Sequence, residues 1–134
     1  MKIFISMKAP RDNDALRAAS SALGKLIRAA GHEPFVAWRE IEQQQLSPQQ
    51  FMPFVNEHLR TCDLLIALYH PELRGGLVEI GMAYACNIPI WLAHLSGEKV
   101  SSSALGCADR VLEYSSINDL KDMIREHLSS TFAL

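Results

Sequence analysis

A chain of 134 residues, 49% hydrophobic and 21% charged, has the balance of one globular domain able to bury a core without disulfides or metal. Its formal net charge of -2 forces no face to be basic, which argues against a general nucleic-acid binder. No apolar run approaches membrane-spanning length, and no membrane partner is expected.

In chain order, Lys2 to Ser6 reads as a first buried strand without the architecture of a secretion signal, so the expected location is cytoplasmic. Asp12 or Asn13 can cap a helix carrying Leu16, Ala19, Leu23, Leu26 or Ile27, and Ala30 at helical spacing, with Gly31 ending it. Pro34 to Ala37 is a short second strand followed by Trp38-Arg39-Glu40, and the glutamine-rich Glu42 to Ser47 reads as a mobile loop or partial helix. Pro48 to Arg60 reads as a helix on Phe51, Phe54, Val55 and Leu59, with Pro53 tolerable only near its start. Asp63 to Leu68 is a third strand, and the helix after Gly76 runs to about Cys86. Ile88 to Ala93 is a fourth strand, Ser96 to Gly106 a loop or short helix, and Arg110 to Tyr114 a fifth strand. A last helix begins near Ser116, with Asp119 three residues on as a weaker capping box. The alternation predicts a single-domain α/β three-layer sandwich of flavodoxin/Rossmann-like type. Its parallel sheet would have five strands in the simplest order, 2-1-3-4-5.

The three cysteines, Cys62, Cys86 and Cys107, lack useful spacing and fit buried free thiols in a reducing compartment. The five histidines show no paired spacing for a metal. Neither a metal nor a cofactor is expected.

The most informative stretch is Gly75-Gly76-Leu77-Val78-Glu79-Ile80-Gly81-Met82-Ala83-Tyr84-Ala85. An apolar run, a glycine pair and an amphipathic segment read as strand, tight turn and helix start, where open α/β sheets bind ligands. This predicts Glu79 in the first helical turn, where the macrodipole would keep a carboxylate ionised. Glu79 is then either a nucleophile or base, or merely an electrostatic cap.

Strand Lys2-Ile3-Phe4-Ile5-Ser6, Cys62-Asp63-Leu64-Leu65-Ile66-Ala67, Gly75 and Val78-Glu79-Ile80-Gly81-Met82-Ala83 together resemble the nucleoside 2-deoxyribosyltransferase family. The nearest branch is the 2′-deoxynucleoside 5′-monophosphate N-glycosidases, with an ungapped register from Asp63 through about Ala104. The resemblance implies that residues 1–134 form one such domain acting on a small nucleoside or nucleotide. Glu79 would attack the anomeric carbon as the base leaves, and water or a second base would resolve the glycosyl-enzyme. It implies that Ser103 reaches the 5′-phosphate of a neighbouring subunit's substrate, hence a homodimer or higher homo-oligomer with shared sites. It also draws Gly75 and the Phe4 position into the substrate-binding set.

The chain departs from that pattern at named positions. Phe4 stands for a tyrosine, Val55 for an aspartate eight residues before Asp63, Met7 for a glycine, and Leu73 for a serine of the monophosphate branch. Candidates to fill the vacated roles lie nearby. Lys8 and Arg11 can bind a phosphate or be solvated loop charges. Tyr69 and His70 can protonate a leaving base or simply end a strand. Trp38 can stack on a nucleobase or cover the core edge. Glu72 and Arg74 lie in the turn, the arginine able to pair with Glu79 or contact phosphate, and Asp63 reads as structural.

The functional expectation is therefore cleavage of, or transfer across, an N-glycosidic bond by a glutamate nucleophile. Its alternative is a non-catalytic nucleotide-binding or sensing module on the same fold, motivated by Phe4 and Val55. A relative acting on another glycosidic bond also stays open. A flavodoxin proper lacks its glycine loop here, and a receiver its acidic pair and phosphoacceptor.

Overall fold

Residues 1–132 are described by a computed structural model. Strands β1 (Lys2–Ser6), β2 (Glu33–Val36), β3 (Leu64–Leu68), β4 (Ile90–Leu95) and β5 (Arg110–Tyr114) form one sheet in the order β2-β1-β3-β4-β5. Every neighbouring pair is parallel. β3 is buried throughout, as near-continuous apolar strands of covered parallel sheets are.

Strand alternation divides the core in two. Ile3, Ile5, Leu64, Ile66 and Leu68 face α1 (Asp14–Ala29) and α6 (Ile117–Phe132), meeting Leu23, Ile27, Leu120 and Ile124. Phe4, Leu65, Ala67 and Leu92 face α3 (Pro48–Leu59), α4 (Gly75–Ala85) and α5 (Ser102–Cys107), meeting Val55, Leu59, Ile80 and Ala83. Ser6, two residues beyond Phe4 in β1, turns to this second face.

Local signals set the helix ends. Asn13 accepts the Leu16 N–H at 3.1 Å to start α1, and Gly31, at φ +86°, ends it as His32 N–H returns to the Ile27 carbonyl. Ser47 and Gln50 form a full capping box ahead of Pro48. Pro53, expected only near a helix start, lies inside α3 on its solvent side. At α6 the Asp119 N–H donates to Ser116, while the Asp119 carboxylate accepts from Ser115 rather than from the cap itself.

Several boundaries differ from expectation. Ala37 opens α2 (Ala37–Gln44) instead of ending β2; the glutamine-rich stretch, open as a loop or partial helix, takes the partial helix, which stops at Gln44 ahead of Gln45, left-handed at φ 54°. Ala37 and Ile41, one turn apart, both pack on the Phe4 side of the core, and that tertiary anchor outweighs the polar composition. β4 starts two residues late because Ile88 closes α4: Asn87 is left-handed at φ 59° and the Ile88 N–H bonds the Ala83 carbonyl at 2.9 Å. The thiols are free among the described residues, but only Cys62 is buried; Cys86 is exposed. Asp63 is structural as read, its carboxylate accepting the Lys2 N–H at 2.9 Å.

Gly76 lets α4 lie close against β1. A Cβ there would stand 2.8 Å from Leu73 Cγ and 2.9 Å from Ser6 Oγ, whereas one at Gly81 meets nothing within 4 Å. Gly76→Ala should therefore lower unfolding free energy by about 1–2 kcal/mol, overpacking outweighing the gain in helix propensity. Gly81→Ala should raise it by roughly 0.5–1 kcal/mol. Chemical denaturation of both variants checks the contrast; equal effects would contradict it.

Candidate functional site

The parallel sheet brings the carboxyl ends of its strands to one edge, and the candidate residues gather on the segments leaving that edge. β1 and β3 are neighbours, with Ser6 opposite Ala67, so the loop after β1 and the turn into α4 lie side by side. Lys8 from the first reaches Glu72 from the second at 3.7 Å.

Glu79 is the fifth residue of α4, two residues further in than expected, and is 6% exposed. Ser6 Oγ donates to Glu79 Oε1 at 2.7 Å, with the Gly76 carbonyl at 3.5 Å from the same hydroxyl. Ser6 is itself wholly buried. Burial pushes the Glu79 carboxyl up to about 7, and the Ser6 hydrogen bond pulls the other way. The expectation of a carboxylate kept ionised by the helix terminus is thus corrected: desolvation outweighs the dipole, whose influence fades beyond the first turn.

Phe4, Val55 and Leu73 belong to a single buried cluster on the sheet face of Ser6 and Glu79. Phe4 packs on Phe35 at 5.3 Å between ring centroids and is wholly buried, so it supports the site from within the core.

The remaining candidates are disposed as follows. Tyr69 is half-buried and packs against that same cluster, its backbone N–H on the Ala93 carbonyl. His70 accepts the Glu72 N–H on Nδ1 at 3.0 Å, so its neutral ring carries the proton on Nε2. Neither ring hydrogen-bonds Glu79; among the described residues Ser6 alone does so through a side chain. Gly75 opens α4, with the Glu79 Oε2 side of the carboxylate near it: a Cβ there would be 3.9 Å from Oε2 and 3.7 Å from Met52 Cε. Arg11 is exposed and left-handed at φ 45°, its carbonyl held by Arg17. Arg74 is the exposed N-cap of α4 and makes no ion pair among the described residues.

Trp38 packs on the opposite face of the sheet, against the α1 side of the core. The Arg17 and Arg39 guanidiniums lie over its ring at 5.0 and 5.3 Å. Ser103 is exposed on α5, while Ser101 caps that helix by accepting the Ala104 N–H. No group of three or more His, Cys, Asp or Glu side chains suited to a metal occurs among the described residues. None of the helices among them is long and apolar enough to cross a membrane.

Ser6 is the residue that sequence reasoning missed. Its signal was present: a hydroxyl ending an otherwise apolar buried strand, in phase with the Phe4 position whose hydroxyl the chain lacks.

No protein-family model matches the chain, and no curated protein does. Solved structures match it over nearly its whole length. The Clostridium botulinum CMP N-glycosidase BcmB superposes with a TM-score of 0.71 at 17% identity, covering 92% of this chain and 98% of that one. The 2-deoxyribosyltransferase of Bacillus psychrosaccharolyticus superposes with a TM-score of 0.66 at 21% identity, covering 91% of each. A conserved protein from Enterococcus faecalis V583 reaches 0.68 at 18% identity, covering 96% and 99%. At such identities the likeness is one of fold.

The Glu79 environment has a consequence for stability. The carboxyl titrates near 4.5 when unfolded and about 7 when folded, so folding takes up a proton between those values. Stability therefore falls as pH rises from about 4.5 through 7 and levels off above. Glu79→Gln, which removes the charge, should stabilise the protein at pH 8 by on the order of 2–3 kcal/mol and have little effect at pH 4. Thermal unfolding at the two pH values checks this.

Proposed function

We propose that this protein cleaves, or transfers across, the N-glycosidic bond of a nucleoside or nucleoside 5′-monophosphate, with Glu79 as nucleophile. The observation that carries the reading is a buried carboxylate, held by one short hydrogen bond, at the turn where a strand's carboxyl end meets a helix. The two neighbours that act on glycosidic bonds by name, a CMP N-glycosidase and a 2-deoxyribosyltransferase, support it as fold-level analogy.

In this reading a Glu79 oxygen attacks C1′ of the sugar while the N-glycosidic bond breaks and its electron pair leaves with the base. A proton reaches the base from His70 Nε2 or the Tyr69 hydroxyl. Water or a second base then attacks C1′, returning its proton to the same His70 or Tyr69 as the bond to Glu79 breaks and the carboxylate is regenerated. A pKa near neutrality suits a group that must be ionised to attack yet is buried, where its charge interactions are stronger.

Lys8 and Arg11 serve a 5′-phosphate. The Lys8–Glu72 pair is long and its glutamate is exposed, so phosphate can displace Glu72 at small cost. Gly75 gives the sugar room beside Glu79. Ser103 on exposed α5 is the candidate contribution from a second subunit. Exposed Leu77, Val78 and Tyr84 on α4 and Leu105 on α5 supply the apolar surface that a homodimer would cover. The whole chain then forms one nucleoside 2-deoxyribosyltransferase-like domain working in the cytoplasm.

A non-catalytic nucleotide sensor is the second reading, favoured by the apolar Phe4, Val55 and Leu73 around the carboxyl. Base release from ribo- and deoxynucleosides and their 5′-monophosphates separates the two. The enzyme reading expects release by the wild type that falls by at least about a thousandfold in Glu79→Gln. Binding without release would overturn it in favour of the sensor.

The phosphate role has its own outcome. Lys8→Ala with Arg11→Ala should raise KM for 5′-monophosphates by roughly tenfold and leave that for nucleosides unchanged. An equal effect on both substrate classes would show that the two cations serve no phosphate.

A further inference from the structure

We infer that Ser6 is a positioning residue that clamps Glu79 by its Oε1 atom, leaving Oε2, on the Gly75 side, as the oxygen that attacks substrate. This deepens the proposed function and rests on it for the attacking step, though not for the clamp.

The geometry carries the clamp. Ser6 Oγ and Glu79 Oε1 are 2.7 Å apart, and both residues are buried, so water does not compete for the hydrogen bond. The serine is fixed by its strand, since Ser6 is paired with Ala67 in the sheet register. The glutamate is fixed by its helix, and the spacing between the two depends on Gly76, where a Cβ would press on Ser6 Oγ at 2.9 Å. A side chain on regular structure at both ends of a hydrogen bond is held more closely than one on a loop.

The hydroxyl has a single proton, and a carboxylate accepts it on one oxygen. Oε1 is thereby committed to the interior. Oε2 points the other way, 3.9 Å from the position a Cβ on Gly75 would occupy, where α4 begins and the backbone is half-exposed. Met52 Cε, from α3, lies 3.7 Å from that same Cβ position. Substrate approach is therefore to Oε2. The chain recovers on Ser6, one strand repeat along, a hydroxyl contact that Phe4 cannot make.

The test is the titration of Glu79 followed by the side-chain carboxyl carbon signal in full-length protein with labelled glutamate, its resonance identified by its loss in Glu79→Gln. Ser6→Ala should move the midpoint upward by about half a pH unit or more, because the lost hydrogen bond favoured the ionised form. An unchanged midpoint would overturn the clamp whether or not the protein is an enzyme. In base release, the acid limb of the kcat profile should move upward with that midpoint, and kcat at pH 7 should fall by about tenfold with little change in KM. A uniform loss at every pH, without a shift of the limb, would mark a merely structural role. Gly75→Ala should leave the titration in place and lower kcat/KM by roughly fivefold or more. Full activity in that variant would overturn the assignment of Oε2. No release from the wild type would overturn the function reading and Oε2 with it, while the titration still decides the clamp.

Discussion

A single hydrogen bond between the end of β1 and the second turn of α4 organises this molecule's chemistry. Ser6 donates to Glu79 across 2.7 Å in the buried interior, so an ionisable group is kept in a place where ionisation is costly. The parallel sheet makes that contact available by setting β1 beside β3 and sending the chain from β3 back over β1 as α4. Gly76 allows the helix to come close enough, and Leu73 fills the space that remains. Fold and site therefore share one constraint. The closeness that packs the helix is the closeness that holds the carboxylate.

Phe4, Val55 and Leu73 lie in one buried cluster on the sheet face that carries Ser6 and Glu79. Burial raises the affinity of Glu79 for a proton, and the Ser6 hydrogen bond favours its charged form. A carboxyl balanced in this way near neutral pH gives the fold some instability at alkaline pH, a common relation between stability and a reactive site. Lys8, Arg11, His70 and Arg74 surround the same edge with donors and positive charge. The edge is thus polar outside and dry at the carboxylate, which suits a ligand with an anionic end and a sugar that must meet Glu79 without bulk water.

Much of this was legible in the residues. Apolar runs at β1, β3 and β4, and caps such as Asn13, suffice to predict the element order and the sheet, because local pattern and tertiary packing agree there. At α2 the glutamines leave loop and partial helix open, and packing of Ala37 and Ile41 on the core decides for the helix; agreement fails at β4, where Ile88 belongs to a helix stop. Glu79 was legible as the candidate carboxylate, but not its depth: α4 starts two residues earlier than read, which sets Glu79 in its second turn, where it is buried. Ser6 was hidden because a serine at a strand end is common, and only the crossing of α4 over β1 gives it a partner 73 positions away.

The central claim is that Glu79 forms the covalent bond to the sugar. It is tested most directly by incubating the protein with a 2′-fluorinated nucleoside 5′-monophosphate, in which the electron-withdrawing substituent slows breakdown of a glycosyl-enzyme, and analysing its peptides by mass spectrometry. The account predicts release of the base and one fluorosugar phosphate on the peptide containing Glu79, removable by prolonged incubation with water or added base. Base release with no adduct, or with an adduct on another residue, would contradict it.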